Sequence, residues 1–248
     1  MLPQQSSSEK VDHTVVVRLA NCQQEIEQAQ RLRYAVFAEE MGAKVQSIDG
    51  RDVDQYDPFC QHLIAIDTQL NTVVGCYRLL TQAGANALGQ WYSQTEFDLR
   101  NIEPLLPDTV ELGRACVHKD YRTGTVMLML WSGLVKFMHD NQLKYMIGCG
   151  SMSMQHGGDR VASLYRKLAQ HYLSPPQWRV FPRNPIDLTQ FNHDLHVATP
   201  PLIKGYLRAG AYICGEPTFD PDFNTADVLI LMSIDRLDER YFKHLSRE

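Results

Sequence analysis

Two apolar runs of strand length, residues 62–67 and 72–80, are separated only by a short polar stretch containing Gln69, Leu70 and Asn71. A parallel return of the chain needs a crossover of about a dozen residues or more, so these strands must pair antiparallel as a hairpin. That connection removes the doubly wound parallel sheets and leaves a mixed α/β sheet flanked by helices. The rest of the chain supplies the other pieces. Residues 14–19 form a β-branched run, read as a strand. From Cys22 to about Met41 the residues Ile26, Ala29, Leu32, Val36 and Phe37 recur at helical spacing, with Asn21 read as the cap and no Pro or Gly before Gly42. Residues 42–59, rich in Asp and Gly, read as a long loop, which in a compact domain is usually functional or mobile. Residues 81–109 are mixed and carry Pro104 and Pro107. Further strands are expected over 110–117, 145–149, 211–215 and 228–233, and helices over 125–141, 160–171 and 202–209. A charged helix is expected to close the chain. Residues 1–12 are polar and read as a flexible N-terminus, leaving 13–248 as a single domain.

Composition narrows the function classes. With 248 residues, 44% of them hydrophobic, the chain can bury one sizeable core. A formal charge of −5 gives no overall attraction to nucleic acid, which is not expected as a partner. The six cysteines are scattered singly with no CxxC, so they read as reduced thiols and no metal site is implied. The polar start MLPQQSSSEK is unlike a signal peptide, and no apolar run approaches the roughly 20 residues of a spanning helix. A cytoplasmic location is expected.

Three segments carry candidate chemistry. In VELGRACVHKDYR, residues 110–122, Glu111 sits inside an apolar strand, where a carboxylate is costly without a partner or a task. Strict alternation would put Glu111 and Arg114 on opposite faces; a bulge at Gly113 would bring them to one face and aim unpaired N–H groups into a cleft. A structural Glu111–Arg114 ion pair is the competing reading. In LRYAVFAEEMGA, residues 32–43, Arg33 falls on the apolar stripe and therefore needs an anion, either a substrate or one of Asp52, Asp54 and Asp57 in the following loop. Arg78 ends an otherwise apolar strand and raises the same question. Together these residues suggest a charged network around one polar pocket. Two strings are set aside. His62 and Asp67 have HxxxxD spacing but read as the two ends of one strand, and Gly148-Cys149-Gly150-Ser151 resembles a small-residue turn without the GxSxG elbow.

The stretches LRYAVFAEEMGA, DQYDPFCQHLIAID, VVGCYRLL, WYSQTEFDL, VELGRACVHKDYR, PPLIKGYLRAGAYICGEP and DFNTADVLIL together resemble the ornithine-lipid N-acyltransferases, a hemolysin-like GNAT family. That family is related to the acyl-homoserine-lactone synthases and the N-acyl amino acid synthases. The resemblance spans most of residues 30–245. It implies a GNAT fold and transfer of a 3-hydroxyacyl group from acyl carrier protein to the α-amine of ornithine. The donor arm would be 4′-phosphopantetheine, with no tightly bound cofactor. The implied partners are acyl carrier protein and a small amino acid, with room for peripheral contact at the inner membrane. By matching position, Glu111 and Arg114 are implied as catalytic, and Arg33, Phe37, Asp54 and Arg78 as substrate-binding. Donor contacts are assigned to Cys116, Arg122 and Gly124. Acyl-CoA-dependent enzymes of this fold cradle a pyrophosphate in a Gly-rich turn before a helix, whereas here residues 121–125 contain one glycine, which favours a donor without the nucleotide. The stretch Cys149-Gly150-Ser151-Met152 departs from the family pattern near the expected acyl tunnel. Acylation of another amino acid such as glycine or glutamine, synthesis of a homoserine-lactone signal, and a non-catalytic acyl-binding module are the alternatives.

Overall fold

The computed structural model describes residues 14–237. The N-terminal segment read as flexible and the closing charged helix lie outside the described residues. The main sheet has eight strands: β1 (Val15–Leu19), β2 (Gln61–Asp67), β3 (Thr72–Thr81), β4 (Thr109–Val117), β5 (Tyr145–Ser153), β6 (Tyr212–Ile213), β7 (Thr218–Asp220) and β8 (Thr225–Ser233). Their order is β1-β2-β3-β4-β5-β8-β6, with β7 also paired to β8. The β2–β3 hairpin is antiparallel, as the short connection requires. Every pairing in this sheet is antiparallel except β4–β5, the one parallel join.

The helices are α1 (Gln23–Tyr34), α2 (Gln82–Leu88), α3 (Ser93–Glu96), α4 (Thr125–Asp140), α5 (Gly158–Tyr172) and α6 (Pro201–Arg208). One face of the sheet carries α4, α5 and α6, whose Leu130, Leu134, Val161, Leu164 and Ile203 bury against Leu63, Tyr77, Leu112 and Val228. On the opposite face α1 and the turn that continues it set Leu32, Val36 and Phe37 over Ile64, Val73, Cys76 and Cys116. The segment from α2 onward fills the rest of that face, with Trp91, Phe97 and Ile102 packed near Ile147, Leu229 and Leu231. The seam between these two clusters is where the functional cavity opens.

Several expectations are corrected. Asn21 does not cap α1 with its side chain; Cys22 holds the cap position, and Glu25 reaches back to accept the Asn21 N–H at 2.9 Å. The helix does not run regularly to Met41, because residues Ala35–Glu40 widen into a π turn. The loop over 42–59 is built rather than featureless: Ser47–Ile48 and Arg51–Asp52 pair as a small hairpin, and Asp57–Phe59 forms a 3-10 turn. The mixed segment before β4 contains α2, α3 and a 3-10 run over Arg100–Asp108 that accommodates Pro104 and Pro107. The strand expected over 145–149 continues to Ser153, so Gly148-Cys149-Gly150-Ser151 is strand, not a turn into a helix. None of the six cysteines is disulfide-bonded.

Candidate active site

The site begins with an irregularity in β4. Arg78 pairs with Gly113 and Cys76 with Cys116, so three steps along β4 oppose two along β3. The extra residue makes a bulge, and Arg114, not Gly113, takes the left-handed backbone with φ 51°. The displacement sets Glu111 and Arg114 on the walls of one cavity, as a bulge here would require. On its other edge β4 pairs with β5 only through Thr109–Tyr145, Val110–Met146 and Glu111–Ile147. Beyond Glu111 the two strands part, and the cavity opens at the start of that gap.

Glu111 is 3% exposed and held from above by α3. Its two carboxylate oxygens accept the backbone N–H groups of Tyr92 and Ser93, each at 2.7 Å, and the Ser93 hydroxyl also donates to it. Burial raises the carboxyl above the ordinary range, opposed by the Ser93 hydroxyl and these N–H groups and by the charge of Arg78. A buried carboxylate so poised is chemically suited to take a proton from an amine.

Behind it three arginines meet three aspartates of the 42–59 loop. Arg33, 1% exposed, binds Asp52 through Nε at 2.8 Å and grips both oxygens of Asp57 at 2.8 and 2.9 Å. Arg78 places Nη1 at 2.6 Å from Asp54 and 3.5 Å from Asp57. Arg114 reaches Asp52 at 3.1 Å and Asp54 at 3.3 Å. Asp54 thus bridges Arg78 and Arg114, while Asp52 bridges Arg33 and Arg114. Burial alone would raise Asp57, but the Arg33 hydrogen bonds and the charges of Arg33 and Arg78 outweigh it and hold the acid at about 2. Aromatic rings complete the cage: Arg78 lies 5.4 Å over Tyr56, and Arg114 lies between Tyr92 at 5.7 Å and Phe223 at 4.9 Å.

The cavity in front of this network encloses about 130 Å³. Phe37, Arg78, Glu111 and Arg114 line it directly. Asp54 stands one bond behind, and Arg33 does not reach the cavity because both of its aspartates hold it under α1. The donor-side residues are not brought together at the cavity. The Cys116 thiol turns under α1 and lies 3.6 Å from the Cys76 sulfur. Arg122 pairs with Glu40 at 2.7 Å and donates to the Val117 carbonyl, while Gly124, at φ 95°, begins α4. His62 and Asp67 occupy opposite ends of β2: His62 lies against the Asp57 carbonyl, and Asp67 accepts from the Gln69 and Leu70 N–H groups and from Tyr121.

Comparison with known proteins matches this geometry to a family. Residues 32–132 match the family model for an acetyltransferase (GNAT) domain, and the mixed sheet with its splayed parallel pair has that fold. The CoA-dependent acyl-homoserine lactone synthase BjaI, in its structure with MTA, superposes with a TM-score of 0.58 at 17% identity, over 94% of this chain and 89% of that one. At that identity the likeness is one of fold. The L-ornithine N(alpha)-acyltransferase of Rhodobacter capsulatus is 38% identical over 93% of this chain and 94% of its own length. The chain belongs to the L-ornithine N(alpha)-acyltransferase family. A second member, from Brucella abortus, is 33% identical over 94% of this chain and 89% of its own.

For a member of the L-ornithine N(alpha)-acyltransferase family, the residues that sequence reasoning passed over are as informative as those it found. Tyr92 and Ser93 hold Glu111 mainly through backbone N–H groups, which no side-chain pattern announces. Tyr56, Asp220, Phe223, Thr225 and Asp227 also face the cavity. Of these, Asp227 carries a signal: a carboxylate that directly abuts the apolar run 228–232 of β8.

Proposed function

We propose that this acyltransferase moves a 3-hydroxyacyl group from the 4′-phosphopantetheine arm of acyl carrier protein to the α-amine of ornithine, giving lyso-ornithine lipid. What carries the proposal is the cavity in which Glu111, Arg78 and Arg114 meet at the point where β4 and β5 part. The thioester enters through that gap. Glu111 takes a proton from the α-ammonium, directly or through one water, and the freed amine nitrogen attacks the thioester carbonyl. The N–H groups of residues 114–116, beyond the last β4–β5 pair, donate to the oxyanion. Collapse of the intermediate breaks the carbon–sulfur bond: the pantetheine sulfur leaves as a thiol carrying the proton that Glu111 received, and the nitrogen gives its second proton to the carboxylate so regenerated, which releases it to solvent. Arg78 and Arg114 hold the amino-acid carboxylate with the guanidinium N–H groups that Asp52 and Asp54 do not take, and both stay charged throughout. Arg33 acts at one remove, fixing Asp52 and Asp57 so that the loop presents Asp54 to both arginines. On the donor side, the single glycine before α4 supports an acyl-pantetheine donor without a nucleotide, with Arg122 and Gly124 nearest the pantetheine phosphate and Cys116 contributing backbone alone.

The test is direct. Purified protein given ornithine and a 3-hydroxyacyl-[acyl carrier protein] is expected to yield one acyl-ornithine with the δ-amine free, identified by mass spectrometry, and one thiol per product. The matching acyl-CoA is expected to be the poorer donor. Absence of any acyl-ornithine rejects the proposal, and a lactone formed from S-adenosylmethionine would replace it with signal synthesis.

A further inference from the structure

The cavity has two ends of different chemistry. At the Glu111 end every arginine is matched by a loop aspartate. At the other end stand Asp227 and Asp220, with Glu96 and Asp222 near them, and among the described residues none of these four carboxylates takes part in an ion pair. Nor do His, Cys, Asp or Glu side chains group anywhere among the described residues in a way that could hold a metal ion.

Asp227 is the informative member. It is the third residue of β8, opposite Ser151 of β5, on the face that continues into the packed Leu229 and Leu231. It is 4% exposed, it lines the cavity, and its Oδ1 has no hydrogen-bond partner. The Ser151 and Thr225 hydroxyls stand beside the carboxylate and ease its burial, yet neither makes a hydrogen bond to Oδ1. Asp220, by contrast, spends Oδ1 on the N–H groups of Asp222 and Phe223. A buried carboxylate oxygen without a donor is costly, and the residue that carries this one lines the cavity. Without a donor, burial raises Asp227 to about 6, with the Ser151 and Thr225 hydroxyls opposing and the charge of Asp220 adding to the rise. Glu96 is likewise raised, to about 7, by burial and by Asp220, Asp227 and Asp222. Cys149 lines the cavity with both carboxylates, its sulfur 3.9 Å from the Ser93 hydroxyl that holds Glu111.

We propose that Asp227, supported by Asp220, receives the side-chain ammonium of the acceptor, so that the cavity selects a diamino acid over a neutral amino acid of the same length. This rests on the acyl transfer proposed above, because the α-amine must lie at Glu111 for the side chain to run past Cys149 toward β8. A primary ammonium suits these carboxylates in kind: it brings donors and a positive charge to acceptors and negative charge. A methyl group put there would leave the carboxylate both buried and unpaired.

The experiment compares ornithine with norleucine, which carries a methyl where ornithine has its side-chain ammonium, in wild-type protein and in Asp227→Asn. Wild type is expected to favour ornithine by roughly tenfold or more in kcat/KM, the scale of one charge-assisted hydrogen bond to a buried group. Asp227→Asn should erase most of that preference by raising KM for ornithine, while norleucine stays within about twofold. Equal use of both acceptors by wild type, or an equal loss on both in the variant, overturns the assignment while leaving acyl transfer to ornithine intact. A wild-type protein that acylates no ornithine overturns both proposals. Should the variant fail to fold, as a melting curve would show, the wild-type ratio decides alone.

Discussion

Glu111 has two tasks that one substitution can separate. As a cap it accepts the N–H groups of Tyr92 and Ser93; as a base it must be ionised and free to take a proton. Gln keeps the shape but offers one oxygen where two N–H groups need acceptors, so Glu111→Gln should lower stability by roughly 1–2 kcal/mol and turnover by about 10²-fold. Because burial raises this carboxyl, wild-type kcat/KM should fall on the acid side of a limb lying above the ordinary carboxylate range, and the limb should vanish in the variant. A variant that keeps wild-type turnover, or keeps the limb, assigns the proton to another group. Residues like this one are legible in sequence because a carboxylate in an apolar strand demands a reason. Asp227 demands one equally, but the strand legible in the sequence begins at Val228 and leaves Asp227 in the polar connection before it, whereas the folded strand begins at Thr225. Arg33 was visible on its helical stripe, but the direction of its fork was not, because Asp52, Asp54 and Asp57 are equally available in the linear chain.

The loop over residues 42–59 illustrates the same limit at the next scale. Its composition says loop, and its length says function, yet its order comes from partners on α1, β3 and β4 that only the fold brings together. Arg33 and Arg78 keep Asp57 at about 2 against an unfolded value of 3.8. A carboxyl depressed on folding stabilises the native state above its unfolded pKa and loses that contribution as pH falls through the folded one. Between pH 4 and pH 2 the protein should therefore lose roughly 2 kcal/mol from this residue alone. Melting curves across that range should show a steeper acid decline in wild type than in Asp57→Asn, which starts less stable; parallel declines would mean that Asp57 is not the titrating group. The hairpin β2–β3, by contrast, followed from connection length, a local property that needs no distant partner.

For the molecule as a whole, the strand order follows the chain with few departures. Strands β1 to β4 come from residues 15–117 and strands β5 to β8 from residues 145–233, with α4 between them. No local pattern predicted that the two groups would meet through only three residue pairs, because separation of adjacent strands leaves no compositional mark. The consequence is genetic. Glu111, Arg78 and Arg114 are encoded before the exposed residues Asn141 and Gln142, and Asp220 and Asp227 after them, so a single crossover there exchanges one wall of the cavity and leaves the other untouched. Recombining this chain with a relative at that point should move the preference for the acceptor side chain with the C-terminal parent, while the pH limb of Glu111 stays with the N-terminal one. Acceptor choice in such a lineage can then be inherited separately from the chemistry it serves.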